Sequence, residues 1–260
     1  MKKATTIEQQ IARLKERGMA VSDERRASEI LLDLGYYRLG FYWFPMERSY
    51  PRKDRRNHLF KMGASFDKSV RLYEFDKELR SILSFYLHDI EVNLRTKVIY
   101  HVSNKFKDNP FWFADSSIVL QSFICSFARK YNEEIKNNDV RQEIYGFYGF
   151  TDDKSFPNYI EIVRQMRNNC AHGHPLFDIK LYKSLRAGKF KAVLSGDQGD
   201  LWSTLKGVLL VIQYFLFYLP GDKGKQFSKD IRKLMNRHRS EDIMEYVAYL
   251  NDVPWLENKI

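Results

Sequence analysis

The sequence predicts an all-α protein, and three observations lead to this fold class. Apolar side chains recur at three- and four-residue spacing from about residue 65 to residue 105, which is the period of an amphipathic helix. The first 35 residues hold two shorter segments of the same period, each preceded by a capping residue and followed by glycine. No segment shows the convincing apolar–polar alternation of a half-buried strand. We therefore expect a helical bundle that begins with a helical hairpin.

Capping residues define the two helices of this N-terminal hairpin. Thr6 is placed to cap a first helix that Gly18 ends, and Ser22 is placed to cap a second helix that Gly35 ends. We interpret the pair as a packing unit. A DNA-reading helix-turn-helix is the alternative interpretation.

Aromatic side chains are most concentrated in residues 36–44, directly after the hairpin. We interpret this stretch as a hinge of core aromatics, so that residues 1–45 form one N-terminal unit. Tyr and Phe also stack on nucleic-acid bases, which leaves a base-stacking platform as the alternative.

Residues 46–64 are predicted to form a basic loop, because helical periodicity is lost after Pro45 and basic side chains outnumber acidic ones. A solvated charge run and a loop that grips a phosphate backbone fit this composition equally well. The side chains expected to contact RNA are Arg52, Lys53, Arg55, Arg56 and Lys61.

Residues 65–260 are predicted to form the main helical domain. The long helix should end before Pro110, and a further helix should begin at Ser116 or Ser117. Residues 143–156 contain glycine, aromatic and acidic residues, which favours a connection.

The C-terminal part of this domain contains further helices. Pro157 suits the first turn of a helix that should run through Met166 into the polar residues that follow. An apolar helix is expected over residues 201–219, a basic amphipathic helix over residues 225–239 and a last short helix near Tyr246. A second basic run precedes them, and its members expected to contact RNA are Lys180, Lys183 and Arg186.

Charge and composition limit the partners and the compartment. The net charge is +10 and the pI is about 9.4, which favours a polyanionic partner such as RNA, DNA or an anionic membrane surface. Two cysteines exclude a disulfide framework and cannot form a zinc site alone, and they fit a reducing cytoplasm. The charged N-terminus does not resemble a signal peptide, and residues 202–219 are broken by Lys206 and Gln213, so we expect a buried core helix and not a membrane span.

Polar chemistry is densest in residues 166–174, where Arg167 and His172 lie near a predicted helix end. Residues five apart are about 140° apart on an ideal helix, but Gly173 and Pro175 predict that the helix stops there. Imidazole exchanges a proton near neutral pH, and guanidinium binds phosphate oxygens. The pair therefore suits cleavage of an RNA phosphodiester, in which the 2′-hydroxyl is the nucleophile and no metal is required.

A purely structural role is the competing interpretation of this pair. Arg95 and His101 have a similar spacing inside an ordinary helix, so spacing alone does not identify a catalytic site. The surrounding density of polar side chains favours chemistry, because a helix end rarely requires so many. These side chains are Arg164, Gln165, Arg167, Asn168, Asn169, His172 and His174.

The hexapeptide 167–172 resembles the R-N-x-C-A-H signature of Abi-like proteins, of the AbiD/AbiF type of bacterial abortive infection, within the HEPN group. The resemblance extends over about residues 5–180, with a weaker match at Pro254-Trp255. Further similar blocks are Gly35-Tyr36-Tyr37-Arg38-Leu39, Leu72-Tyr73-Glu74-Phe75-Asp76 and Ile90-Glu91-Val92-Asn93-Leu94-Arg95-Thr96.

This resemblance implies a HEPN-like helical bundle and a metal-independent endoribonuclease without a cofactor, active as a homodimer whose two motifs form a composite cleft. Arg167 and His172 would be catalytic, and Asn168 would position them. Residues 175–178 depart from the Arg-Leu-aromatic-Asn that often follows in the family, which puts a substrate contact there in doubt. The implied role is phage defence or a toxin held in check by a structured RNA. A non-catalytic protein that holds such an RNA is the alternative.

Overall fold

The computed structural model describes residues 4–115, 117, 137–152, 154–182, 184–186, 188–190 and 203–260. Over these ranges the chain forms nine α-helices, and its only extended pairings are three isolated bridges, which confirms the all-α prediction. The helices are α1 (Ile7–Glu16), α2 (Glu24–Leu34), α3 (Tyr36–Trp43), α4 (Phe66–Lys105), α5 (Asn138–Phe147), α6 (Ser155–Ala171), α7 (Leu205–Leu216), α8 (Lys223–Arg237) and α9 (Met244–Val247).

The chain divides into two compact units. The first contains Met1–Glu78 and Arg237–Ala248, and the second contains Leu79–Asn236 and Tyr249–Ile260. Helix α4 therefore contributes its N-terminal part to the first unit and the remainder to the second. The division into residues 1–45, 46–64 and 65–260 follows sequence character and stays a prediction.

Local capping sets both ends of the N-terminal hairpin. The Thr6 hydroxyl accepts a hydrogen bond from the Gln9 backbone N–H at 3.3 Å, and the Gln9 side chain accepts one from the Thr6 N–H at 3.1 Å, so the predicted cap is confirmed. The second cap is Asp23, not Ser22. The Asp23 carboxylate accepts from the Arg26 N–H at 2.9 Å, whereas the Ser22 hydroxyl donates to Asp67 at 2.7 Å. Asp23 is the residue with extended backbone whose side chain reaches the first turn.

The aromatic stretch forms helix α3 and belongs mostly to the core of the first unit. Leu39, Tyr42 and Trp43 are buried, and the Tyr42 hydroxyl donates to the buried Asp76 carboxylate at 3.0 Å. Tyr37 and Phe41 lie on the opposite side of the helix and are exposed. Packing thus accounts for one face of α3.

The basic loop is closed at its base by backbone hydrogen bonds. The Arg48 N–H donates to the Leu59 carbonyl and the Lys61 N–H donates to the Met46 carbonyl, both at 2.8 Å. Glu47 lies beneath the loop with a side chain only 1% exposed, and it forms an ion pair with Arg56. The loop is therefore organised around a buried carboxylate.

The apolar helix α7 forms the core of the second unit, as expected. The polar residue that interrupts it, Gln213, is fully buried, and its amide donates to the carbonyls of Gly224 and Leu256 and accepts from the Leu256 N–H at 2.7 Å. Among the described helices, none is both long and apolar enough to cross a membrane. Residues 201–202 of the predicted helix lie outside the described residues.

The connection predicted over residues 143–156 is shorter in the structure, because α5 covers its first residues and α6 begins at Ser155. Helix α5 continues to Phe147, because the buried side chains of Ile144 and Tyr145 hold its last turn. Gly146 interrupts neither the helix nor its packing. The helix predicted to begin at Ser116 or Ser117 falls on residues 116 and 118–136, outside the described residues.

Candidate active site

Helix α6 presents the polar motif at its C-terminal end. The helix packs against α7, and Pro157 lies in its first turn as predicted. Met166 and Cys170, four residues apart, are buried on the packed face. Arg167 follows Met166 and is turned outward, with a side chain 52% exposed.

The helix ends at the place that Gly173 predicts. His172 is the C-cap, and its backbone N–H donates to the Asn168 carbonyl at 2.9 Å. Gly173 has a φ of 65°, a left-handed conformation that glycine adopts without strain, and the His174 N–H then donates back to the Asn169 carbonyl at 2.9 Å. Backbone groups therefore satisfy one another's hydrogen bonds at the end of the helix. The side chains of the motif are not needed for capping and are available for other contacts.

Arg167 makes two contacts that hold its guanidinium. Its Nε lies 3.4 Å from Glu91 Oε2, and its Nη1 donates to the side-chain oxygen of Asn168 at 3.3 Å. Arg167 and Asn168 are therefore brought together, as expected. The exposed His172 imidazole lies beside that of His174, with ring centroids 6.3 Å apart, and no hydrogen bond within the described ranges joins it to Arg167.

A cleft of about 260 Å³ opens beside Arg167 in the second unit. Its volume is below that of most small-molecule pockets, but it admits a phosphate group. The wall supplied by α4 carries a hydroxyl, an imidazole and a carboxylate, and the wall supplied by α6 carries the guanidinium. His172 is not among the lining residues, which are Ser84, Leu87, His88, Glu91, Arg167, Cys170 and Ala171.

His88 and Glu91 line the cleft, and the sequence did not identify either of them as a site residue. Glu91 forms an ion pair with Arg95 at 2.5 Å, and the second oxygen of Glu91 faces Arg167. His88 is exposed one turn earlier on the same helix. The only local signal was their three-residue spacing, and periodicity does not reveal which helix lies opposite. Within the described ranges, no group of three or more His, Cys, Asp or Glu residues is arranged to hold a metal ion.

The residues expected to bind RNA from the basic loop differ in their surroundings. Arg52, Lys53 and Arg55 are exposed. Arg56 instead contacts the buried Glu47 and lies over the Phe44 ring, and the Lys61 ammonium donates to a backbone carbonyl, that of Pro45, at 2.9 Å. The loop therefore presents three basic side chains to solvent, of which Arg55 lies 3.7 Å from the exposed Asp54.

The second basic run belongs to the second unit. Lys180 and Arg186 are exposed, and Lys183 lies outside the described residues. The backbone of Arg186 is fixed, because its N–H donates to the Asn158 side chain at 2.8 Å and its carbonyl accepts from the Tyr159 hydroxyl at 3.1 Å. The predicted RNA contacts are thus divided between the two units.

Part of this chain is similar to a known protein family. Residues 29–144 match the family model described as Abi-like protein. The match covers less than half of the chain and is shorter than the resemblance over residues 5–180. It includes the blocks at residues 35–39, 72–76 and 90–96 but ends before Arg167. Neither a curated protein nor a solved structure gives a significant match. Over residues 29–144 the chain is therefore similar to Abi-like proteins.

Proposed function

We propose that this protein is an endoribonuclease of the HEPN type, of the AbiD/AbiF kind, that acts in abortive infection or as the toxin of a toxin–antitoxin-like system. The observation that carries the proposal is the half-exposed guanidinium of Arg167, held beside an open cleft by Glu91 and Asn168. A charged donor fixed in this way is suited to a phosphate oxygen. The Abi-like match supplies independent support for the defence role.

In the proposed reaction the RNA 2′-oxygen attacks the adjacent phosphorus. The new bond joins phosphorus to the 2′-oxygen, and the bond to the 5′-oxygen of the next nucleotide breaks, which gives a 2′,3′-cyclic phosphate and a 5′-hydroxyl. The His172 imidazole either takes the proton of the 2′-hydroxyl or gives a proton to the leaving 5′-oxygen, and solvent water completes the other proton transfer. Arg167 stabilises the negative charge on the phosphorane-like transition state. Asn168 orients Arg167 through its side-chain oxygen.

We further propose that the active form is a homodimer that pairs along α4. Phe85, Val92 and Ile99 recur every seven residues on α4, and their exposed fractions are 66%, 48% and 54%. A seven-residue apolar stripe pairs well with a copy of itself. Because the same helix lines the cleft with His88 and Glu91, pairing along this stripe would bring two clefts close together. The partner would then supply a second Arg167 and His172.

A regulatory structured RNA is the second proposed partner. The exposed loop residues Arg52, Lys53 and Arg55 and the exposed Lys180 and Arg186 provide positive charge in both units. Tyr182, which is 90% exposed, lies in the chain between Lys180 and Arg186 and offers a ring for stacking. The same residues support the alternative function, a protein that holds a small RNA without cleaving it.

The test is cleavage of RNA in EDTA. Purified protein is incubated with transfer RNA, ribosomal RNA and single-stranded oligomers, and product ends are analysed. We expect 2′,3′-cyclic phosphate ends, lost in Arg167→Ala and His172→Ala. Arg164→Ala and His101→Ala are matched controls, because each removes the same group from an ion pair elsewhere in the second unit.

Two other outcomes contradict the proposal. If the wild type, freed of co-purifying RNA, cleaves none of these substrates but rebinds a defined RNA in a salt-sensitive manner, the non-catalytic alternative holds. If cleavage continues unchanged in the Arg167 and His172 variants, the activity resides elsewhere.

A further inference from the structure

The carboxylate of Glu91 lies between two guanidinium groups. One oxygen is 2.5 Å from Arg95 Nη2 and the other is 3.4 Å from Arg167 Nε, and the Glu91 side chain is only 13% exposed. A lone carboxylate beside a phosphate site would repel the substrate. The Arg167 guanidinium neutralises this one at the cleft, and Arg95 pairs with its other oxygen along the helix.

We propose that Glu91 is a positioning residue that fixes the Arg167 guanidinium for the scissile phosphate. This inference rests on the proposed function. Glu91 holds the Nε side of the group, and Asn168 accepts from Nη1. Within the described ranges Nη2 has no hydrogen-bond partner, so it is available to a phosphate oxygen. Ordering an arginine side chain costs conformational entropy. Because Glu91 already orders Arg167 in the free protein, the binding of the substrate does not have to supply that free energy.

The competing role of Glu91 is a simple helix pair with Arg95. An i,i+4 pair of this kind stabilises a helix only slightly, and its loss leaves an active site unchanged. Glu91→Gln keeps the size of the side chain but removes its charge, so it tests the contact with Arg167. Arg95→Gln is the matched control, because it breaks the helix pair and keeps Glu91 beside Arg167.

Kinetics separate these roles. Single-turnover cleavage of a labelled RNA is measured alongside the affinity for an uncleavable 2′-deoxy oligomer of the same sequence. For Glu91→Gln we expect the rate constant to fall about 10- to 100-fold. Affinity and thermal midpoint should change little. Glu91→Asp should restore part of the rate, and Arg95→Gln should stay within about threefold of the wild type. Equal rates for wild type and Glu91→Gln would overturn the positioning role and leave the nuclease proposal standing.

A second readout does not depend on activity. In protein with ¹⁵N-labelled arginine, the Arg167 Nε signal is assigned by its absence in Arg167→Lys. We expect slow N–H exchange and a distinct shift in the wild type, and faster exchange in Glu91→Gln but not in Arg95→Gln. If the wild type cleaves no RNA, the cleavage assay contradicts the nuclease proposal. The spectra still test whether Glu91 holds the Arg167 guanidinium, because they do not require activity. An unchanged Arg167 signal in Glu91→Gln would refute the contact itself.

Discussion

Arg56 shields the carboxylate of Glu47 from solvent and neutralises it. The Arg56 Nε donates to Glu47 Oε2 at 3.0 Å, and its Nη2 contacts the other oxygen. The guanidinium also lies 4.4 Å from the centre of the Phe44 ring. This arginine of the basic loop thus stabilises the fold and is not free to bind RNA.

Replacing Arg56 should therefore destabilise the protein. Arg56→Ala leaves the buried Glu47 carboxylate without its charged donor, and we expect the free energy of unfolding to fall by about 1–3 kcal/mol. Arg55→Ala is the control, because Arg55 is 83% exposed and only 3.7 Å from the exposed Asp54, so we expect a change below about 0.5 kcal/mol. Urea unfolding at neutral pH measures both. Equal losses of unfolding free energy in the two variants would show that the Glu47–Arg56 ion pair stabilises the protein no more than an exposed arginine does.

The same ion pair should make the free energy of unfolding depend on pH in the acidic range. Burial raises the pKa of the Glu47 carboxyl, but hydrogen bonding and positive charge from Arg56 and His58 outweigh it, so the pKa lies below the ordinary 4.5. A lowered folded-state pKa stabilises the fold above the unfolded-state value and loses this contribution as pH falls through the folded-state value. The stability advantage of wild type over Glu47→Gln should shrink between about pH 5 and pH 3. Urea unfolding of both proteins across that range provides the measurement, and a constant difference would contradict the prediction.

The exposed part of the basic loop should control RNA affinity. Replacing Arg52, Lys53 and Arg55 together by Gln should weaken RNA binding and lower the slope of log affinity against log salt by about 2, since each phosphate contact to a single strand contributes about 0.7. The thermal midpoint should stay unchanged because these side chains are exposed. Fluorescence anisotropy at several salt concentrations tests this. An unaltered salt slope would remove the loop from the RNA surface.

Gln213 should be essential to the core of the second unit. Gln213→Leu leaves the Gly224 carbonyl and both backbone groups of Leu256 without their buried partner. We expect a loss of about 2–4 kcal/mol, compared with about 1 kcal/mol for the neighbouring Ile212→Val. Thermal unfolding of the two variants measures both losses of stability. Similar losses in Gln213→Leu and Ile212→Val would show that the hydrogen bonds of Gln213 contribute no more than apolar packing does.

Charge on the α4 stripe should separate the proposed dimer. Val92→Glu introduces like charges across a two-fold interface, so a particle of twice 31.0 kDa should become a monomer. Leu32→Glu is the control, since Leu32 is 74% exposed on α2, a helix that is not part of the stripe. Light scattering after gel filtration measures the mass. A wild type that is monomeric at all concentrations, or a Val92→Glu dimer, would contradict pairing along this stripe.

Several features of the fold follow from short-range chemistry, and the sequence alone predicted them. The cap at Thr6, the long apolar period of α4 and the helix end at Gly173 all depend on residues within a few positions of one another. The candidate site belongs with these features, because the density of polar groups in residues 166–174 is a local property of the chain.

Tertiary structure decided how distant residues use their chemistry. Only packing shows that Glu91 also faces Arg167, that Arg56 turns toward Glu47 while Arg55 stays in solvent, and that the second capping residue is Asp23 beside Ser22. Composition could not separate these cases, because an arginine in a basic loop has the same sequence signature whether or not a buried carboxylate lies beneath it. The sequence determined which groups are present near the site, and long-range packing determined which of them meet.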